Sequence, residues 1–308
     1  MAEPMARRAI LVLAGLAAAR EAQAQDAAPT DLMPEFWSVF DRHAAAGHDT
    51  RALAIRDAFF LPQIAAYRAA GVGRVDFSQW LPGFVPLADA TRSLSLALPG
   101  LWRAHVARFA QALPDAGPAT VVVLPSFSWF DARVRVLPAG PALFLAPDGV
   151  VRIHGAAANI GVLLDHESFH LYHHRVNPTL LLPGGDPLWL GIWKEGLAVH
   201  ACAVLRPGAS RRDVLLGDAA LAGIDAVLLR RIAGEVLPLL GATTVEARGR
   251  YLSYGYRGDI PARSGYALGF AVAARVAAER GLGLPALARL PATEAEALLR
   301  AALVAMAG

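Results

Sequence analysis

His166, Glu167, Ser168, Phe169 and His170 spell H-E-x-x-H inside an apolar stretch. Histidines and a glutamate at this spacing can do metal chemistry. On an α-helix, residues i and i+4 share a face, so the imidazoles of His166 and His170 can converge on one zinc ion. Glu167, offset by one position, can hold the water that the ion activates. Zinc in such a setting lowers the pKa of water to about 7, which makes hydroxide accessible at neutral pH. The plain alternative is an ordinary helix with two solvated histidines. The preceding run Ile160-Gly161-Val162-Leu163-Leu164-Asp165 argues for burial instead. Two buried imidazoles and a carboxylate without partners would be costly, and a metal removes that cost.

A catalytic zinc usually has three protein ligands and an open position. One class takes the third from H-E-x-x-H-x-x-G-x-x-H. Here His173 stands at the glycine position and Val176 at the last histidine, which excludes that class. His174 continues an i, i+4, i+8 ladder. A straight helix puts it about 12 Å from residue 166 and rotates the row by about 40°, a poor tetrahedron. His173 and His174 are expected to be outer or solvated residues near the helix end. Glu195 is the better third ligand. Asn177-Pro178 and Pro183-Gly184-Gly185-Asp186-Pro187 break the chain between two helices. That arrangement can bring Glu195 beside the histidines, and the small neighbours Gly196 and Ala198 allow close helix approach. A solvated helix glutamate is the alternative.

H-E-x-x-H followed about two dozen residues later by Glu195-Gly196-Leu197-Ala198 resembles the gluzincin group of zinc metallopeptidases, which includes thermolysin. The text around it is similar to an uncharacterised bacterial branch of zinc-dependent proteases, with H-E-x-x-H-x-x-x-H, E-G-L-A and then G-Y-x-x-G. Here these are His166 to His174, Glu195 to Ala198, and Gly265-Tyr266-Ala267-Leu268-Gly269. The likeness covers residues 121–308. It implies zinc as cofactor, His166, His170 and Glu195 as ligands, and Glu167 as general base. It also implies an α+β, mostly helical, zincin-like fold, with a small sheet packed on an active-site helix. The chain departs from thermolysin four residues after Glu195, where Val199 replaces an aspartate. The carboxylate that orients a ligand must then come from elsewhere, with Asp165 and Asp186 both open.

The elements that must position these residues can be read from patterning. Residues 31–70 repeat apolar positions at helical spacing, and Gly71-Val72-Gly73 stops them. A mixed stretch to Ala112 is broken at Pro82-Gly83, Pro86 and Pro99-Gly100, and residues 113–118 read as a linker. Strands are expected at residues 120–124, 134–137, 142–145 and 150–153, the last two flanking a turn at Pro147-Asp148-Gly149. Residues 142–145 are expected at the sheet edge, where an extended peptide could pair. The rest reads as helix: a long run at 214–240, a loop rich in Tyr, Arg and Gly at 251–263, then helices at 266–279 and 293–306. The resulting division is a signal peptide at 1–24, a helical region at 25–113 and a zincin-like region at 114–308.

Water attack on an amide builds negative charge on the carbonyl oxygen, so a donor should meet it. Tyr266, at the start of a helix, is the leading candidate. Tyr251, Tyr254, Tyr256, Arg257 and His154 are further ones, and packing is the alternative role of each tyrosine.

Composition bounds the reading. The 308-residue chain is 55% hydrophobic with a mean hydropathy of +0.39, scattered along amphipathic runs rather than gathered in a span of 18. No stable membrane span is expected after signal cleavage. Net charge is +3, and Lys194 is the single lysine. No arginine cluster interleaves with aromatics, so nucleic acid is not an expected partner. Arg7-Arg8, an apolar core from Ile10 to Ala19 and Ala22-Gln23-Ala24 form an export signal with cleavage after Ala24, which implies a periplasmic or secreted protein. An Ala-rich N-terminal helix is the alternative. Cys202 alone permits no internal disulfide and reads as a buried inert thiol.

The leading expectation is a zinc metallopeptidase acting on a peptide or protein. A catalytically silent, zinc-dependent peptide-binding module is second, and the intact Glu167 argues against it. A structural helical protein with a fortuitous motif is third.

Overall fold

The computed structural model describes residues 28–180 and 186–308. The export signal at 1–24 lies outside the described residues. The protein is α+β and mostly helical, and its contacts divide it into two compact units, with the boundary between Ala158 and Asn159. The stretch 113–118 read as a linker lies inside the first unit.

In the first unit, strand β1 (Thr30–Asp31) leads into helices α1 (Met33–Arg42), α2 (His48–Ile55), α3 (Ile64–Ala70), α4 (Phe77–Phe84) and α5 (Ala88–Ala112). A π-helical turn, Arg56–Phe60, continues α2. Gly71 ends α3 in the left-handed conformation at φ 72°, as the sequence suggests. The helices enclose aromatic rings of Phe36, Phe60, Tyr67, Phe77 and Trp80 around Phe127, with centroid separations from 4.9 to 6.4 Å. Pro99 does not break α5, which runs through it for 25 residues. The proline costs that helix one backbone bond, and the buried Leu98 and Trp102 on either side of it anchor the helix.

Strands β2 (Thr120–Val123), β3 (Ala132–Leu137) and β4 (Gly140–Leu145) complete a mixed sheet of order β1-β2-β4-β3. β2 pairs parallel with β1 and β4, with Val122 opposite Thr30 and Phe144; β3 pairs antiparallel with β4, Val134 opposite Leu143. Two sequence expectations are overturned here. Residues 142–145 are not an edge: β4 is interior, and its continuous buried run Ala142-Leu143-Phe144-Leu145 is the pattern of a strand covered on both faces. The edges are the two-residue β1 and β3, where Arg133 and Arg135 stand. Residues 150–153 are not a strand but part of helix α6 (Pro147–His154). Pro147 sits in its first turn, while Asp148 and Arg152 complement the helix dipole. The buried Asp148 carboxylate accepts the backbone N–H groups of Ser126 and Phe127, 2.7 and 2.9 Å away. That tie to the β2–β3 connection overrides the β-branched propensity of Val150 and Val151.

The second unit is helical. It contains α7 (Ile160–Val176), α8 (Leu188–Leu205), α9 (Arg211–Val214), α10 (Ala219–Ala222), α11 (Ala226–Val236), α12 (Val245–Leu252), α13 (Ser264–Arg280), α14 (Leu284–Ala288) and α15 (Ala292–Ala307). The single long helix expected at 214–240 is instead α10, α11 and a 3-10 turn, because Leu216 and Gly217 take positive φ and Asp218 and Asp225 cap new helices. α8 also corrects the sequence reading: it is long and apolar enough to cross a membrane by length and composition, yet most of it is buried. Its apolar residues pack all round, as in a core helix.

Candidate metal centre

Helix α7 carries His166, Glu167 and His170. Asn159 caps its start by accepting the Val162 N–H at 3.3 Å. At its far end the Asn177 amide donates to the Ala288 and Leu290 carbonyls at 3.1 and 2.6 Å. Helix α8 carries Glu195, and its first N–H groups are satisfied by carbonyls of Ala242 and Leu240. Two side-chain ties bring α7 and α8 together. Arg206 Nε donates to the fully buried Asp165 carboxylate at 2.5 Å, and the Cys202 thiol donates to the Val162 carbonyl at 3.5 Å.

The three atoms expected to bind metal do converge. His166 Nε2 lies 3.2 Å from Glu195 Oε2 and 3.1 Å from His170 Nε2, and His170 Nε2 lies 3.3 Å from the same carboxylate oxygen. Ligand atoms about 2.0–2.1 Å from a tetrahedral zinc stand roughly 3.3 Å apart. The donor triangle therefore has the size of a zinc face, and two imidazole nitrogens with one carboxylate oxygen suit that ion. His166 is buried, while the side chains of His170 and Glu195 keep 12% and 25% of their surface exposed, so one side of the cluster is open to solvent.

The electrostatics are those of a charged group held among imidazoles. Burial alone would raise the Glu195 carboxyl, but the charge of His170 and the hydrogen bonds from both histidines hold it well below the usual carboxylate range. Burial pushes His166 down; for His170 burial also pulls down, but the Glu195 charge, its hydrogen bond and the Glu167 charge together outweigh it and push His170 up. Glu167 is partly buried on α7, one position beyond His166, and its charge acts on His170.

Tyr266 is also brought here. Its ring stacks on His166 with centroids 6.0 Å apart and planes 6° from parallel, and its phenol lies near enough to Glu195 to feel that carboxylate's charge. Burial, then the Glu195 charge, pushes that phenol well up, so it is a protonated donor. The closeness comes from glycines. A Cβ on Gly196 would meet Gly269 backbone at 2.0 Å, one on Gly269 would meet the Ile192 carbonyl oxygen at 2.2 Å, and one on Gly265 would meet the Tyr251 carbonyl oxygen at 2.8 Å. The E-G-L-A and G-Y-x-x-G blocks are thus the two sides of one helix crossing, α8 on α13.

Other expected residues go elsewhere. Tyr251 reaches Glu235, Tyr256 donates to Asp259 at 2.8 Å, and Arg257 donates to loop carbonyls of Tyr254 and Tyr256. His154 belongs to the first unit and bonds Asp131 at 2.6 Å. Neither carboxylate considered for orienting a ligand bonds His166, whose Nδ1 has no hydrogen-bond partner among the described residues. Asp165 is bound to Arg206, and Asp186 pairs with Lys194 at 3.0 Å. His173 is buried against Phe169 rather than solvated, and His174 is partly buried; neither joins the cluster. Cys202 is buried, which pushes its thiol well up and makes it inert.

Sequence reading missed Arg263. It is buried beside Tyr266, three residues upstream, and no local pattern marks an arginine for burial. Compared with known proteins, the chain matches no family model, no curated protein and no solved structure.

Proposed function

We propose that this chain is an exported zinc metallopeptidase of gluzincin type, hydrolysing peptide bonds in peptides or proteins. One observation carries the reading: His166, His170 and Glu195 arrive from two helices with their donor atoms 3.1 to 3.3 Å apart. The H-E-x-x-H and E-G-L-A blocks, the zincin-like arrangement they imply and the export signal in the sequence belong to the same reading. His166, His170 and Glu195 would hold the zinc. Zinc bound there would supply a Lewis acid that polarises a carbonyl and makes water more acidic.

The chain's own residues supply the rest. Glu167 takes a proton from the attacking water on its carboxylate and passes it to the leaving amine nitrogen. Tyr266, protonated and held against His166, donates to the carbonyl oxygen as charge develops there.

The test is zinc content and peptide-library cleavage for the parent and two variants. The parent should carry about one zinc per chain. Glu167→Gln should keep the zinc and lose hydrolysis by about 10²–10⁴-fold. Glu195→Gln should weaken zinc binding itself, since a neutral amide is a poorer ligand. A protein that refuses added zinc overturns the reading, and a Glu167→Gln variant as active as the parent overturns the mechanism. A parent that holds zinc and cleaves nothing across broad libraries points to a peptide-binding module.

A further inference from the structure

Arg263 departs from every expectation for a surface arginine. It is 3% exposed and takes φ 58°, a left-handed conformation that non-glycine residues adopt at a cost. Such strain persists only where the surroundings enforce it, and it concentrates at functional sites. The enforcement is visible. The guanidinium donates to Asp218 Oδ2 and to the Tyr254 hydroxyl, each at 2.9 Å, and lies 3.8 Å over the Tyr254 ring. Asp218 is itself fixed, because its other oxygen caps α10 through the N–H groups of Ala220 and Leu221. Arg263 Nε is buried with no hydrogen-bond partner among the described residues. This is a charged group held in place at the expense of one unsatisfied donor.

Its other neighbour is the centre. The guanidinium carbon lies 5.3 Å from the Tyr266 ring centroid, and its charge reaches His166. Tyr266 is the residue whose ring stacks on His166. The left-handed turn at Arg263 also starts α13, since the Arg263 carbonyl accepts the Tyr266 N–H at 2.8 Å. Backbone and side chain of one residue therefore both constrain Tyr266.

We propose that Arg263 is a positioning residue that fixes Tyr266 against His166. The inference rests on the metallopeptidase reading. A lysine would keep the charge but lose the fork that spans Asp218 and Tyr254. A glycine would relieve the backbone and lose both.

The experiment uses the full chain loaded with cobalt(II), whose visible absorption reports the ligand shell, and azide as the anion. Variants are Arg263→Gly, Arg263→Met, Arg263→Lys, Tyr266→Phe and the double Arg263→Gly/Tyr266→Phe. Arg263→Gly guards against misfolding of Arg263→Met, because glycine accepts φ 58°. Cobalt affinity should stay within about twofold of the parent, because no ligand is touched. The azide dissociation constant should rise roughly tenfold in Arg263→Gly and Arg263→Met, the scale of a desolvated cation over an aromatic ring. Arg263→Lys should recover part of it. The double variant should bind azide no more weakly than the worse single variant, because the arginine acts through the tyrosine. An Arg263→Gly protein that melts earlier but binds azide like the parent makes the arginine a structural tie only and overturns the proposal. So does an additive double variant, or a cobalt form that binds no azide. A parent that binds no cobalt removes the metallopeptidase reading and this inference with it. Cobalt binding with azide affinity independent of Arg263 removes the inference alone.

Discussion

An alanine at Gly196 would place its methyl carbon 2.0 Å from the carbonyl carbon of Gly269, 2.2 Å from its Cα and 2.5 Å from its oxygen. Carbon atoms need about 3.5–4.0 Å. The crossing of α8 and α13 must therefore open by roughly 1.5 Å, and the obstacle is backbone, which cannot rotate away. Overpacking of a core costs typically about 1–3 kcal/mol, and a backbone obstacle puts this substitution at about 3 kcal/mol. Alanine also gains about 1 kcal/mol of helix propensity over glycine, which the control must remove. Gly234 is that control: it is exposed within α11, and a methyl group there would meet nothing within 4 Å. Gly234→Ala should stabilise by about 0.5–1 kcal/mol. Urea denaturation measures both. For an m-value of about 2–3 kcal/mol/M, Gly196→Ala should lower the midpoint by roughly 1 M. If the proposed function holds, the opened crossing should carry Tyr266 away from His166, and peptide hydrolysis should fall. A Gly196→Ala protein as stable as the Gly234→Ala control would show that the helices tolerate the methyl and that the crossing does not hold the site.

Two further outcomes are expected. Burial alone would raise the Asp131 carboxyl, but its hydrogen bond to His154 and that imidazole's charge hold it below the usual range. A depressed carboxyl contributes stability that is present above the unfolded pKa of about 3.9 and is lost as pH falls through the folded value. Asp131→Asn should therefore cost about 1–2 kcal/mol at about pH 6, with the gap to the parent shrinking below about pH 4; a gap that stays constant well into the acid range in urea titrations would contradict the pair's role. Mass spectrometry of protein from the native host should find a chain starting at Gln25, the residue after the Ala22-Gln23-Ala24 cleavage signal; an intact N-terminus would exclude processing there.

The donor chemistry is legible in local spacing. H-E-x-x-H on a helix puts two imidazoles on one face whatever surrounds them, because about 3.6 residues per turn is a local property. Pro/Gly punctuation between residues 177 and 187 separated the second helix, and Glu195 with small neighbours marked the face that could approach. Tyr266 was legible only through its sequence block, since nothing local aims a tyrosine at the distant His166. Patterning failed where tertiary contacts outweigh local preference. Val150 and Val151 favour a strand, yet the capture of Asp148 by the β2–β3 connection makes a helix. The run 142–145 is apolar without alternation, and only the pairing of β4 on both sides shows it to be interior. What holds the centre depends on contacts between distant segments. Gly196 matters because the Gly269 backbone lies 2.0 Å from where its side chain would be. The Asp165 carboxylate is given to Arg206 rather than to a histidine, and Arg263 is buried in a strained turn. Each depends on distances between segments far apart in the chain, and such distances are set by packing of the whole core, which no window of sequence contains.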